Sequence, residues 1–390
     1  MKTWTGILLA GLAALAAGAL LFAWSGLYNV SASAGHWPVT TWFLRFTLEN
    51  SIETHSLGIT APPLDDAGLV LKGAGHFETG CAPCHGMPGR PRGPIVLGLT
   101  PQPPDLTHKI EEWSDRELFW IVRNGLKYTA MPPWPAPERQ DEVWAMVAFL
   151  RQLPQLDAAE YRDLAYGPAR DDPEAASGAR MNLAEIVQAI GPIIHECARC
   201  HGWDGAGRGE GAFPKLAIQN PDYLAAQLRA YASGARRSGV MQPIAAALTE
   251  RQMADLARHF AEAEADAAPR VRSPDGAEPA PSPDAAAGAE IAETGIPEQG
   301  VPACLVCHGE TEPRNRLFPH LAGQYADYLE LQLRLFAEGS RGGTPFADIM
   351  RMVASRLNEE QRRQVAAYFA SLPEPRTGEG ADSAARAEEN

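Results

Sequence analysis

All six cysteines of the 390-residue chain fall into three pairs of identical spacing, and a histidine follows each pair directly. The motifs read Cys81-Ala-Pro-Cys84-His85, Cys197-Ala-Arg-Cys200-His201 and Cys304-Leu-Val-Cys307-His308. Two thiols one helical turn apart reach both vinyl groups along one edge of a porphyrin, and the adjacent imidazole projects to the iron. A single C-x-x-C also serves as half of a zinc site or as a thiol redox pair. A four-cysteine zinc site uses pairs two at a time, and three pairs leave one over. A thioredoxin-like pair expects strands alternating with helices, and no such alternation is present. Three C-x-x-C-H motifs therefore point to three covalently attached haem c groups. Cys81, Cys84, Cys197, Cys200, Cys304 and Cys307 carry the thioethers, and His85, His201 and His308 are the proximal iron ligands.

The sequence around each motif is helical. An apolar-periodic segment precedes it, a Gly- and Pro-rich loop follows, and an amphipathic helix closes the unit around Val143–Leu150, Met253–Phe260 and Val365–Phe369. The second and third units form an internal repeat. Phe213-Pro-Lys-Leu-Ala returns as Phe318-Pro-His-Leu-Ala, Tyr223-Leu-Ala-Ala-Gln-Leu as Tyr328-Leu-Glu-Leu-Gln-Leu, and Gly234-Ala-Arg236 as Gly339-Ser-Arg341. Unit one lacks the first two blocks. The expected organisation is all-α: an anchor over 1–30, an amphipathic connecting segment over 31–64, haem units over 65–155, 178–264 and 289–373, an Ala/Pro/Asp-rich linker over 265–288, and an acidic disordered tail over 374–390. The linker composition cannot bury a core, and unit three is expected to swing on it.

After Lys2 no charged residue occurs until Arg45, and Ile7 to Trp24 is almost wholly apolar. Trp4 and Trp24 stand about 30 Å apart along a helix, the thickness of a bilayer's hydrocarbon. A retained transmembrane anchor is the expectation, with a signal peptide cleaved near Ala32-Ser33-Ala34 as the rival. Either sends the rest across the membrane. Residues 35–56 form an amphipathic helix that lies on the membrane or packs on unit one. The net charge of −14 (34 basic, 48 acidic residues) argues against nucleic acid as a partner. Most of it sits in 261–300 and 374–390, where it serves solubility.

Electron carriers close the iron with a second axial ligand, and methionine raises the potential. In unit one the candidate is Met131, in Tyr128-Thr-Ala-Met-Pro-Pro-Trp134. In the repeat it is Met241 and Met350, each seven residues before a leucine. Met146 and Met253 read as core, Met181 as a helix start, Met87 as too near its own histidine, and Met352 as a weaker competitor of Met350. His36, His55, His76, His108, His195, His259 and His320 read as surface or core. His320 replaces Lys215 of the repeat and is expected to face solvent. Pro214 and Pro319 are expected beside the haem, where a carbonyl of that loop accepts the proximal Nδ1–H.

These motifs resemble the bacterial class I cytochromes c over about residues 65–372. Units two and three look like the halves of the soluble di-haem periplasmic cytochromes, and unit one like single-haem domains with a Met-Pro-Pro-Trp ligand loop. The resemblance implies small helical domains with largely buried haem, and electron transfer as the role. The expected protein is a tri-haem electron carrier on the bacterial inner membrane, with its haem units in the periplasm. Its partners would be a quinol-oxidising complex, a dehydrogenase or a terminal oxidase. The alternative is the cytochrome subunit of a membrane-bound alcohol, aldehyde or gluconate dehydrogenase passing electrons to quinone. A haem enzyme with an open iron is the third class, and three plausible methionine ligands count against it.

Overall fold

The computed structural model describes residues 2–167, 191–209, 211–263, 282–309 and 314–375. Among them the chain is helical, with isolated bridges at Met87–Arg90 and Ile296–Val301 and no strand. Met181, most of the segment expected to join units one and two, the greater part of the linker and nearly all of the tail lie outside the described residues.

Helix α1 (Lys2–Ser25) is the one described helix long and apolar enough to cross a membrane, with a mean hydropathy of 2.3 over Trp4–Ser25 and none of it buried. Helix α2 (Pro38–Ser56) starts on a proline, whose fixed φ suits a first turn. Unit one contains α3 (Ala67–Gly80), α4 (Asp115–Asn124), α5 (Gln140–Gln152) and α6 (Ala158–Tyr166). Side chains satisfy the free backbone N–H groups that every helix start leaves. Asp66 caps α3, and reciprocal Ser114/Glu117 and Asp157/Glu160 pairs cap α4 and α6. Helices α3 and α5 cross around Phe77 and Phe149, whose rings lie 5.2 Å apart.

The core of unit one runs past the expected boundary at 155. Tyr161 and Ala165 of α6 are fully packed against it, and the Tyr161 hydroxyl donates to Glu78 Oε2 at 2.6 Å. The polar stretch Tyr161-Arg-Asp reads as linker because its one inward aromatic is flanked by charge.

Unit two contains α7 (Gly191–His201), α8 (Pro221–Ala232) and α9 (Glu250–Glu262). Unit three contains α10 (Pro283–Thr294), α11 (Ala326–Ala337), α12 (Ala347–Ala354) and α13 (Glu359–Ser371). Helix α10 begins inside the stretch expected as linker, because Ser282 caps it through Ala285 N and it packs on α13.

Unit three does not hang free of unit two. The repeat-equivalent Gln219 and Gln324 each reach into the other unit. Gln219 donates to the His320 carbonyl (2.8 Å) and accepts from His320 N–H (3.0 Å), while Gln324 does the same with Lys215 (3.0 and 3.0 Å). Arg236 donates to Gln332 (2.8 Å) and Tyr328 (3.2 Å) of unit three, and Arg341 donates to Tyr223 (2.8 Å) of unit two. Both arginines are buried, so the cost of desolvating them is met by these bonds. The expected swing of unit three is therefore replaced by a fixed, pseudo-symmetric interface. His320 sits in it, half-buried, with Nδ1 2.8 Å from Arg314 Nη1, and not in solvent.

Candidate haem sites

The three motifs share one local geometry. Each pair of cysteines ends a helix or forms a single turn: Ala82–His85, the end of α7, and Leu305–His308. At each motif the histidine Nδ1 faces a proline carbonyl. The distances are 3.0 Å from His85 to Pro104, 3.3 Å from His201 to Pro214 and 3.2 Å from His308 to Pro319. A carbonyl only accepts, so Nδ1 carries the proton and Nε2 keeps the lone pair a metal needs. The two prolines expected from the repeat hold these positions. Pro104 has no counterpart in the repeat, because unit one lacks the Phe-Pro-x-Leu-Ala block. Its signal is the Pro101-Gln-Pro-Pro104 run after the motif.

Burial keeps the imidazoles neutral. It pushes His201 and His308 down to about 4 and lowers His85 as well, opposed in each case by the proline carbonyl. Burial likewise pushes the Cys81 and Cys197 thiols up to about 12 and Cys304 up to about 11. Such thiols hold their protons at neutral pH, the reverse of a reactive redox pair.

Cys197, Cys200, His201 and Met241 line the same cavity as Cys304, Cys307, His308 and Met350, a space of about 510 Å³ walled mainly by apolar side chains. The cluster of buried residues in unit two is small, built on Tyr223, Leu224, Leu256 and Phe260. A flat apolar group in the cavity completes that core, so the residues present fit haem at both motifs. The unit-one motif lies outside this cavity.

Each candidate sixth ligand has its own support. Met131 follows α4 in a loop pinned by its N–H to Thr129 Oγ1 (3.0 Å) and by Leu126 N–H to its carbonyl (3.2 Å). The loop folds back over Gly125, at φ +63, where a Cβ would stand 2.5 Å from the Pro132 carbonyl carbon. Met241 opens the short helix Met241–Ala246, its N–H held by Ser238 Oγ at 3.0 Å. Met350 lies within α12, half-buried against Phe336 and Ala347, whereas Met352 is 47% exposed. Met146 and Met253 are buried in the cores of units one and two.

Unit one also walls the site of unit two. Glu142 on α5 accepts from Ser238 Oγ and Gly239 N–H, both at 2.6 Å, and from Trp134 Nε1 at 3.1 Å, while pairing with Arg139 at 2.9 Å. Trp134 belongs to the Met131 loop and Ser238-Gly239 leads into Met241, so one carboxylate holds both loops. Gly239 lies so close to the Trp134 ring that a Cβ there would meet Nε1 at 2.0 Å. Nothing in the sequence marks Glu142, because the partners that tie it to unit two, Ser238 and Gly239, lie 96 and 97 residues away.

Known families match two stretches of the chain. Residues 68–150 match cytochrome c oxidase, cbb3-type, subunit III, and residues 187–267 match cytochrome c. The third motif lies outside both. The chain is 38% identical over 189 residues to the thiosulfate dehydrogenase electron acceptor of Thiomonas intermedia (strain K12), covering 47% of this chain and 82% of that protein. It is 33% identical over 179 residues to cytochrome c4 of Thiocapsa roseopersicina, covering 45% and 86%. The chain belongs to the class I c-type cytochromes. Among solved structures it is similar to reduced recombinant cytochrome c4 from Pseudomonas stutzeri, at 30% identity and a TM-score of 0.40, over 50% of this chain and all of that one. As a multihaem cytochrome c it carries covalent haem c and transfers electrons.

Proposed function

We propose that this chain is a membrane-anchored tri-haem carrier that passes electrons between redox proteins of a bacterial respiratory chain, with its haem units in the periplasm. Haem units over about 65–166, 178–264 and 283–373 each hold one haem through the cysteine pairs 81/84, 197/200 and 304/307. His85 with Met131, His201 with Met241, and His308 with Met350 are the axial pairs. The observation that carries this reading is the proline carbonyl facing Nδ1 of all three motif histidines, which treats the third motif like the two that families match. Haem iron, when bound, supplies a one-electron couple. The chain orients each imidazole through the proline bond, excludes water through the apolar wall, and offers a thioether sulfur from a pinned loop (Met131) or a helix (Met241, Met350).

The test is the count of covalent haem in the purified protein, expected at three per chain and at two once Cys304 and Cys307 are both replaced by Ala. A wild-type count of two would remove the third site. Replacing Met131, Met241 or Met350 by Ala should turn one haem high-spin each time and lower its potential. A variant with an unchanged spectrum would show that its methionine is not the ligand.

A second reading is favoured by the matched relatives. Two relatives at 38 and 37% identity are thiosulfate dehydrogenase electron acceptors, which points to a sulfur-compound dehydrogenase as the donor in place of an alcohol, aldehyde or gluconate enzyme. Rapid reduction of the ferric protein by thiosulfate plus its dehydrogenase, and none by thiosulfate alone, would support it.

A further inference from the structure

We propose that the N-terminal half of α2 lies in the headgroup layer of the bilayer and holds the first haem unit against the membrane. This rests on the reading of α1 as a retained anchor.

Helix α2 has two apolar stripes on opposite sides, where a helix of a soluble domain needs one. Leu44, Leu48 and Ile52 recur every fourth residue and face inward. Ile52 is 1% exposed, the helix packs on α4, and His55 lies 5.7 Å from the Trp120 ring. Val39, Trp42, Phe43 and Phe46 follow the i, i+3, i+4, i+7 spacing on the other side and are 64, 63, 57 and 52% exposed. The outward stripe ends there. The next positions on that side are Asn50 and Glu53, both exposed.

The start of α2 is also fixed in depth. The Trp37 ring packs on Phe22 at 5.9 Å and on Tyr28 at 5.1 Å, and the Tyr28 hydroxyl lies 3.1 Å from His36 Nδ1. Phe22 belongs to the last turns of α1, so Trp37 is level with the point where α1 leaves the hydrocarbon. Trp37 and Tyr28 at that level match the preference of tryptophan and tyrosine for the membrane interface. The occupant is lipid because the stripe continues directly from the end of α1, and every anchored copy carries the bilayer beside it. The attraction is apolar and not electrostatic. Arg45 is the one cationic side chain between Trp37 and Asn50, and it pairs with Glu49 at 2.7 Å.

The experiment uses the full-length holoprotein in phosphatidylcholine vesicles that contain a lipid photoreactive near its glycerol, with labelled peptides mapped by mass. Labels are expected within 4–25 and also within 37–46, and raised salt should remove neither. Trp42→Ser combined with Phe46→Ser, both at exposed positions, should abolish the label in 37–46 and leave that in 4–25. Label in 4–25 alone overturns the docking and keeps the anchor. Label in neither overturns the anchor, and the docking with it. Loss of the 37–46 label at raised salt overturns the apolar basis of the contact.

Discussion

Glu142 is where the two proposed ligand loops meet, and its side chain is only 11% exposed. Replacing it by Ala strips the acceptor from Trp134, Ser238 and Gly239 and leaves Arg139 with Asp141 as its remaining carboxylate. Breaking a largely buried, charge-assisted set of this kind costs about 3 kcal/mol. Denaturant unfolding should register that loss, and the Met–iron charge-transfer band of the second haem should weaken. Unchanged stability with an intact band would mean the carboxylate holds neither loop. His76 gives a pH dependence. Burial, reinforced by the Arg199 cation, lowers it from 6.5 to about 4. The unfolded chain takes up this proton near 6.5 and the folded chain only near 4, so the stability present above 6.5 declines as pH falls through that window. Unfolding curves between pH 4 and 7 should be less steep in pH for His76→Phe than for the parent, and equal slopes would discard the assignment. The cysteines and the motif histidines stand out as residue types at fixed spacing, and so does the proposed ligand Met241. Glu142, Pro104 and His76 do not, since what distinguishes them is a partner distant in sequence or a loop without a repeat.

Among the elements, the closing helices were plain in the sequence because their apolar periodicity is strong and Pro154 and Pro373 follow two of them. Helix α6 was not, because a nine-residue helix with one buried aromatic carries little periodic signal. The internal repeat was visible, but the contact between its copies was not. Tyr223, Gln227 and Arg236, and their equivalents Tyr328, Gln332 and Arg341, look like separate repeated spacings until the fold brings the six together. Arg236 anchors the centre of that interface through Gln227 (2.7 Å), Gln332 and Tyr328. Arg236→Met keeps the volume of the stem and removes the bonds. Calorimetry should then show units two and three melting in separate transitions, and the parent in one. A single transition in the variant would mean that other contacts suffice.

For the whole molecule, the second and third sites open into one cavity, so charge added at one is felt at the other through a poorly screening interior. With the proposed third haem in place, its oxidation should raise the potential of the second. A spectroelectrochemical titration should deviate from three independent one-electron curves, and strict independence would sink the expectation. That the chain carries several haems was legible from six cysteines alone. That unit one braces unit two, through Arg199 to the Gly75 and Ala165 carbonyls and Arg139 to the Arg237 carbonyl, required the three-dimensional arrangement. Backbone acceptors leave no trace in residue identity.

The reciprocal glutamines have one more consequence. A surface on which Gln219 grips the partner at His320 while Gln324 grips back at Lys215 is self-complementary: each copy brings both the hand and the handhold. Covalent connection is then not what specifies the pairing. Severing the chain between Ala263 and Ser282 should leave the two halves bound as a heterodimer. A lone copy of either unit already holds the residues from which a homodimer of the same shape is made.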